Sequence, residues 1–128
     1  MVDKEVINGK APFSDAVKVG NNVYIAGQIA KDPISGGWPS DIEGQTVACL
    51  DNIKNTLAQL GAKPNDVVKM TIFLTDIRNF GRMNKAYVEF FHNNGVETDF
   101  PVRSVTQTPL MFSEWLIAID CMAVLSER

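Results

Sequence analysis

The chain has 128 residues, 45% of them hydrophobic, and a net charge of -3 at pH 7. This length predicts one domain spanning residues 1–128, which buries about two thirds of its unfolded surface. Its 12 basic residues are scattered along an acidic chain. The composition therefore argues against a nucleic-acid partner, because phosphate neutralisation needs a concentrated Lys/Arg face.

Cysteine usage and the N-terminal residues predict a cytoplasmic protein. Cys49 and Cys121 lie far apart with no C-x-x-C or metal spacing, so both are expected to be small buried hydrophobes in a reducing compartment. Residues 1–5 carry acids where a secretory or transit peptide is apolar or arginine-rich. The longest apolar run, 115–125, is interrupted by Asp120 and is too short to span a bilayer, so no membrane partner is expected.

The first half of the chain predicts three strands, a loop and a helix. The strands are expected at 4–7, 16–19 and 23–26, the loop at 31–40 and the helix at 41–60. A loop leaves Phe13 without an element to bury it, and we expect its ring to lean into a cleft. The Gly-Asn-Asn turn at 20–22 predicts a hairpin, because these residues tolerate positive φ. Apolar residues at intervals of three and four predict the helix, which Gly61 ends.

The second half predicts a strand, a helix and two further strands. The first strand is expected at 67–74, the helix at 79–92, and the two further strands at 102–108 and 115–125. The strand at 67–74 is expected to be buried on both faces apart from Lys69 and Thr71. An aromatic stripe on the helix is predicted to belong to the core rather than to a cofactor site; it comprises Phe80, Met83, Tyr87, Phe90 and Phe91.

These elements predict an α+β fold, with a mixed sheet of about six strands and two helices. Two helices cover one face of such a sheet, whereas the strands carry apolar residues on both faces. We therefore expect a homo-oligomer with ligand sites in clefts between its subunits.

Arg103 is the residue most indicative of function. It follows a turn proline and is flanked by strand-forming residues, so it is expected to project from a strand start into a cleft. A guanidinium there matches the two oxygens of a carboxylate ligand. The alternative is an ion pair with one of the chain's own acids, and the sequence context alone favours that alternative.

The sequence does not contain the residue patterns that several other kinds of functional site require. The single histidine, His92, and the absence of a G-x-S-x-G turn argue against a serine hydrolase. No phosphate-binding loop, dinucleotide fingerprint or metal-ligand spacing occurs, so neither a cofactor nor a metal is expected. An arginine, a few loop amides and strand carboxylates remain, among them Asp120 on an otherwise apolar strand face.

Five stretches of the chain, in order, resemble the RidA/YjgF family of enamine and imine deaminases, whose members are also labelled L-PSP endoribonucleases or translation inhibitors. They are residues 20–29, 50–53, 66–71, 84–87 and, above all, 100–104 with the sequence FPVRS. The resemblance implies a chorismate-mutase-like fold, six strands with two helices on one face, assembled as a homotrimer with a ligand site at each subunit interface.

The resemblance also implies roles for particular residues. Arg103 matches the arginine that pairs with the substrate carboxylate. The backbone N–H of Gly27 and the main chain at Val105 would line the same site, and Asn84 would lie near it. The family reaction is hydrolysis of reactive enamines or imines to 2-keto acids with release of ammonia, and it needs no cofactor.

The sequence departs from the deaminase pattern at four positions. Phe13 replaces a tyrosine, Ala26 a serine and Val105 a cysteine, and the water-activating carboxylate falls at Ala118. Asp120 lies on the same strand face, about 6 to 7 Å further along, and is a candidate replacement as well as a structural acid.

Three hypotheses follow. The first is a deaminase with a less polar pocket that favours a bulkier or more apolar imine. The second is a non-catalytic binder of small carboxylates, and the third is the ribonuclease or translation-inhibitor role attached to the family. The acidity and the lone histidine disfavour the third.

Overall fold

A computed structural model describes residues 3–126 and contains one sheet with the strand order β1-β2-β3-β6-β4-β5. The elements in chain order are β1 (Lys4–Ala11), β2 (Phe13–Val19), β3 (Asn22–Gln28), α1 (Ile42–Gln59), β4 (Val67–Leu74), α2 (Phe80–Asn93), β5 (Val102–Gln107) and β6 (Ile117–Val124). This is the predicted α+β class, with six strands and two helices.

The sheet is mixed because one pair of strands is parallel. β4 and β5 run parallel and α2 connects them, as a parallel pair requires. The other neighbouring strands are antiparallel, including β6 against both β3 and β4. β5 therefore forms one edge of the sheet and β1 the other.

Local signals set the ends of α1. The Asp41 side chain accepts a hydrogen bond from the Gly44 N–H at 3.0 Å and caps the first turn. After the helix Gly61 has a φ of 77°, as its predicted stopping role requires. The apolar face of α1 packs on β3 and β6, and α1 also contacts α2. Neither helix within residues 3–126 is long and apolar enough to cross a membrane.

The N-terminal strands are longer than predicted. The expected loop after residue 7 is strand instead, since β1 continues to Ala11 and β2 begins at Phe13, with only Pro12 between them. Irregular pairing around Asn8 interrupts the two-residue alternation on which strand prediction depends. Phe13 thus belongs to a strand, and its side chain is 60% exposed.

The two faces of the sheet differ more than predicted. On β4 the residues Met70, Ile72 and Leu74 are buried under the helices, but Phe73 is only partly buried, so burial of both faces is wrong. The face away from the helices, here called the open face, carries exposed apolar side chains. They are Tyr24, Val102, Met122 and Val124.

The last two strands are slightly shorter than predicted. β5 ends at Gln107 rather than residue 108, and β6 spans Ile117–Val124 rather than 115–125. The aromatic Trp115 is half-buried before the strand begins, and its ring contacts the Phe112 ring with centroids 4.6 Å apart. Side-chain packing of this loop, rather than sheet pairing, explains the apolar residues there.

Candidate functional site

Arg103 lies on the edge strand β5, on the face of the sheet that the helices cover. Its Cα partner on β4 is Met70, which is buried in the core. Residues directly opposite each other point to the same side of a sheet, so the Arg103 side chain extends toward α2. Pro101 precedes the strand, and the geometry agrees with the prediction of an arginine at a strand start.

Neutral groups hold the guanidinium. Its Nη1 donates a hydrogen bond of 2.7 Å to Oδ1 of Asn84 on α2. Its central carbon lies 4.7 Å from the centroid of the Tyr87 ring and 5.6 Å from that of Phe80. Aromatic rings attract a cation through their negative faces without neutralising it. The arrangement orients Arg103 and preserves its positive charge.

Arg103 forms no ion pair with any acid in residues 3–126. The described arginines that do pair are Arg78, which contacts Asp76 at 2.8 Å, and Arg82, which contacts Glu43 at 2.6 Å. The internal ion pair favoured by the sequence context of Arg103 is therefore not formed in this part of the chain. A half-buried cation with a neutral hydrogen-bond partner is suited to bind an external anion.

A recess of about 280 Å³ opens beside the guanidinium. Its lining residues are Asn84, Tyr87, Val88, Phe100, Pro101 and Arg103. Burial raises the pKa of Tyr87 to about 12, although the nearby positive charge of Arg103 opposes the shift. The buried Tyr87 hydroxyl stays neutral at physiological pH and forms no hydrogen bond with residues 3–126.

The other site residues suggested by the resemblance fall into separate places. Val105 lies two residues beyond Arg103, on the same face of β5, and packs partly against the core. Phe13 is on β2, four strand positions from β5, which corresponds to about 19 Å across the sheet. Within one copy, Phe13 and Arg103 are therefore not brought together.

A second group lies on the open face. Thr71, next to Met70 on β4, pairs with Asp120, so Asp120 and Ala118 face away from Arg103. Ala118 is buried and Asp120 is half-buried. The pairing of β3 with β6 shifts register between Ile25 and Gln28, which leaves both residues 26 and 27 beside Asp120.

Gly27 lies in this irregular stretch and is exposed. A Cβ added there would meet no atom of the described chain within 4 Å. Its backbone is therefore approachable from outside. Together with Ala26, Ala118 and Asp120 it forms what we call the open-face group. Its members on β3 lie three strand spacings, about 14 Å, from β5, and those on β6 lie two, about 10 Å.

The sequence interpretation missed two residues of the Arg103 environment. Phe80 and Tyr87 were expected only in the core, yet both rings flank the guanidinium. The available signal was their spacing from Asn84, four residues before it and three after, which places all three on one helix face.

A larger recess of about 650 Å³ lies between the loop after β3 and α1. Its acid Asp32 accepts hydrogen bonds from the N–H groups of Ile34 and Ser35, which lower the pKa of that carboxyl and stabilise the loop. No group of three metal-ligating side chains occurs within residues 3–126. We therefore place the functional site at Arg103, where a charge is available to a ligand.

Sequence comparisons agree with the geometry. A family model described as endoribonuclease L-PSP matches residues 4–125. A RutC family protein of Pyrococcus abyssi is 38% identical over 113 residues, covering 88% of this chain and 85% of the relative. An Escherichia coli protein named 2-iminobutanoate/2-iminopropanoate deaminase is 33% identical over 113 residues, covering 88% of this chain and 87% of the relative.

Solved structures show the same fold. The structure of E. coli TdcF with bound serine has a TM-score of 0.86 and 30% identity, covering 94% of both chains. That of the E. coli YjgF gene product has a TM-score of 0.85 and 32% identity, covering 91% of this chain and 90% of the other.

Proposed function

The chain belongs to the RidA/YjgF family, whose family model is described as endoribonuclease L-PSP, and from this premise we propose that Arg103 binds a 2-imino or 2-keto carboxylate and that the protein hydrolyses the imine. Water adds its oxygen to C2 of the imine, ammonia leaves, and the 2-keto acid remains. The reaction involves no change of oxidation state and needs no cofactor. Support comes from the relative named as a deaminase and from TdcF, whose bound serine carries a carboxylate.

The observation that carries the proposal is the charge of Arg103, which forms no ion pair with an acid within residues 3–126. One N–H is taken by Asn84, and the rest of the planar fork remains for a carboxylate. A charge-assisted pair of this kind contributes about 1.5 to 3 kcal/mol.

A second part of the proposal is a homotrimer with the ligand at the subunit seams. Arg103 and the open-face group lie on opposite faces of one sheet, so a single copy cannot present both to one small ligand. A neighbouring copy that covers the open face removes this difficulty. The ligand would then meet Arg103 and Asn84 from one copy, and the Gly27 N–H from the other.

Catalysis has to proceed without the usual water-activating acid. Ala118 has no acidic group, and loss of a general base costs a factor of roughly 10² to 10⁴ in rate. Asp120 is the nearby carboxylate of the open-face group and is the candidate replacement. The same observation favours a second function, a non-catalytic binder of small carboxylates, which would need Arg103 but no base.

The test generates imines in place with an amino-acid oxidase and catalase, and follows keto-acid release. We expect the protein to accelerate release and Arg103→Ala to reduce the acceleration at least tenfold, since about 1.5 kcal/mol corresponds to that factor. The matched control is Arg82→Ala, which removes an arginine that already pairs with Glu43.

Binding separates the possible outcomes. If no imine is hydrolysed faster than in buffer, yet 2-keto acids raise the melting temperature only when Arg103 is present, the protein is a binder. If Arg103→Ala changes neither rate nor binding, the proposal fails. RNA cleavage that persists in repurified Arg103→Ala would instead favour the endoribonuclease role.

A further inference from the structure

Resting on the proposed function, we infer that the recess beside Arg103 binds the substrate side chain, and that the substrates are 2-imino acids with large apolar side chains, such as those formed from phenylalanine or leucine. Val88, Phe100 and Pro101, which the carboxylate site does not use, then contact the substrate side chain.

The chemistry of the lining points to an apolar occupant. Val88, Phe100, Pro101 and the Tyr87 ring supply its apolar wall, and the polar groups of the lining residues are the Asn84 amide, the Arg103 guanidinium and the Tyr87 hydroxyl, which is itself buried. The Asn84 carbonyl oxygen already accepts from Arg103. A polar substrate side chain would therefore lose water there and find few partners, whereas an apolar one gains from burial.

The recess is too large for a methyl group to fill. A volume of about 280 Å³ equals roughly nine water molecules at the density of the liquid. The methyl group of a pyruvate-like ligand would leave most of this volume unfilled. A phenyl ring or branched chain displaces more water and contacts more of the wall.

The position of the recess follows from how a carboxylate approaches Arg103. The Tyr87 ring lies against the guanidinium, with its centroid 4.7 Å from the central carbon, and Asn84 accepts a hydrogen bond from one of the Nη atoms. A carboxylate therefore binds along the remaining edge, in the plane of the fork. Since C2 is bonded directly to the carboxylate carbon, the side chain begins close to the guanidinium and within reach of the recess.

The experiment measures Kd for pyruvate, 4-methyl-2-oxopentanoate and phenylpyruvate by calorimetry. We expect the two larger acids to bind at least tenfold more tightly than pyruvate, since a single methylene in an apolar pocket is worth about 10-fold or more. Val88→Phe fills the recess from α2 and should lower this preference at least tenfold. Val47→Phe, at a 40% exposed valine of α1, is the matched control and should leave the preference unchanged.

The ligand series on the unmodified protein keeps the test decisive if Val88→Phe does not fold. Pyruvate binding as tight as that of phenylpyruvate overturns the inference, and if that binding still depends on Arg103 the proposed function stands. An unchanged preference in folded Val88→Phe also overturns it. If removal of Arg103 changes the Kd of none of the keto acids, the proposed function fails and the inference fails with it.

Discussion

Arg103 illustrates how neutral neighbours keep a charge available. An acid at 2.7 Å would neutralise the charge of the guanidinium, but the structure has the amide of Asn84 at that distance. An amide oxygen accepts the hydrogen bond without cancelling the charge. Tyr87 and Phe80 pack beside the guanidinium and limit its freedom, so less side-chain entropy is lost when a ligand binds.

Asn84→Asp should therefore weaken ligand binding while preserving the fold. The new carboxylate would form an internal ion pair with Arg103, and we expect Kd for phenylpyruvate to rise at least tenfold in calorimetry. Asn55→Asp, at an exposed position of α1, makes the same change in net charge as a control. Unchanged affinity in Asn84→Asp would contradict the role of Arg103 as the carboxylate ligand.

Both cysteines should be unreactive in the folded protein. Cys49 and Cys121 are buried free thiols. Burial raises the pKa of Cys121 to about 12 and also raises the pKa of Cys49, so the reactive thiolate is scarce at pH 8. Intact mass measurement should show no iodoacetamide adduct under native conditions and two adducts in urea. Rapid native modification would contradict the burial.

At the scale of elements, one buried side chain joins α1 to the segment before β6. The Nε2 of Gln45 donates to the carbonyl oxygens of Pro39 and Glu114, both at 2.9 Å, and its Oε1 accepts from the Leu116 N–H at 2.8 Å. Gln45 is fully buried. Backbone groups that lie outside regular structure are thereby satisfied, which fixes the entry of β6 against the helix.

Gln45→Leu should destabilise the fold by about 3 kcal/mol, because it leaves these backbone groups without partners in a dry environment. Urea unfolding monitored by circular dichroism measures the change. Gln59→Leu makes the same substitution at an exposed position of the same helix and should change stability by less than about 0.5 kcal/mol. Equal effects of the two variants would argue against the joining role.

For the whole molecule, the open face of the sheet is the surface through which the proposed assembly would form. The helices cover one face, whereas Tyr24, Val102 and Met122 remain 42%, 67% and 37% exposed on the other. Apolar side chains clustered on a sheet face favour burial against a partner. The proposed homotrimer buries this face with further copies of the same chain.

Met122→Lys should dissociate the proposed homotrimer. The variant introduces a charge on the open face, and its strand partner Lys69 already carries one of the same sign. Sedimentation should give the mass of three chains for the unmodified protein and of one chain for the variant. Val47→Lys, at a similarly exposed position on α1, should leave the mass unchanged. A monomeric unmodified protein would contradict the proposed assembly.

The sequence by itself determined the elements whose signals are local. The spacing of Leu50, Ile53 and Leu57 specifies α1, a positive-φ turn at Gly20 closes the hairpin, and the β-branched run specifies β4 at 67–74. The order of helices and strands then predicts the mixed sheet. Residues 100–104, with the other matching stretches, indicate the family.

Only the tertiary structure decided the surroundings of these residues. Whether Arg103 meets an acid or Asn84 depends on how α2 lies against β5, and those positions are 19 residues apart in sequence. The same packing brings Phe80 and Tyr87 to the guanidinium, and strand pairing separates Asp120 from it. Periodicity reports which side of an element is apolar, whereas contacts between elements depend on long-range packing that no local pattern encodes.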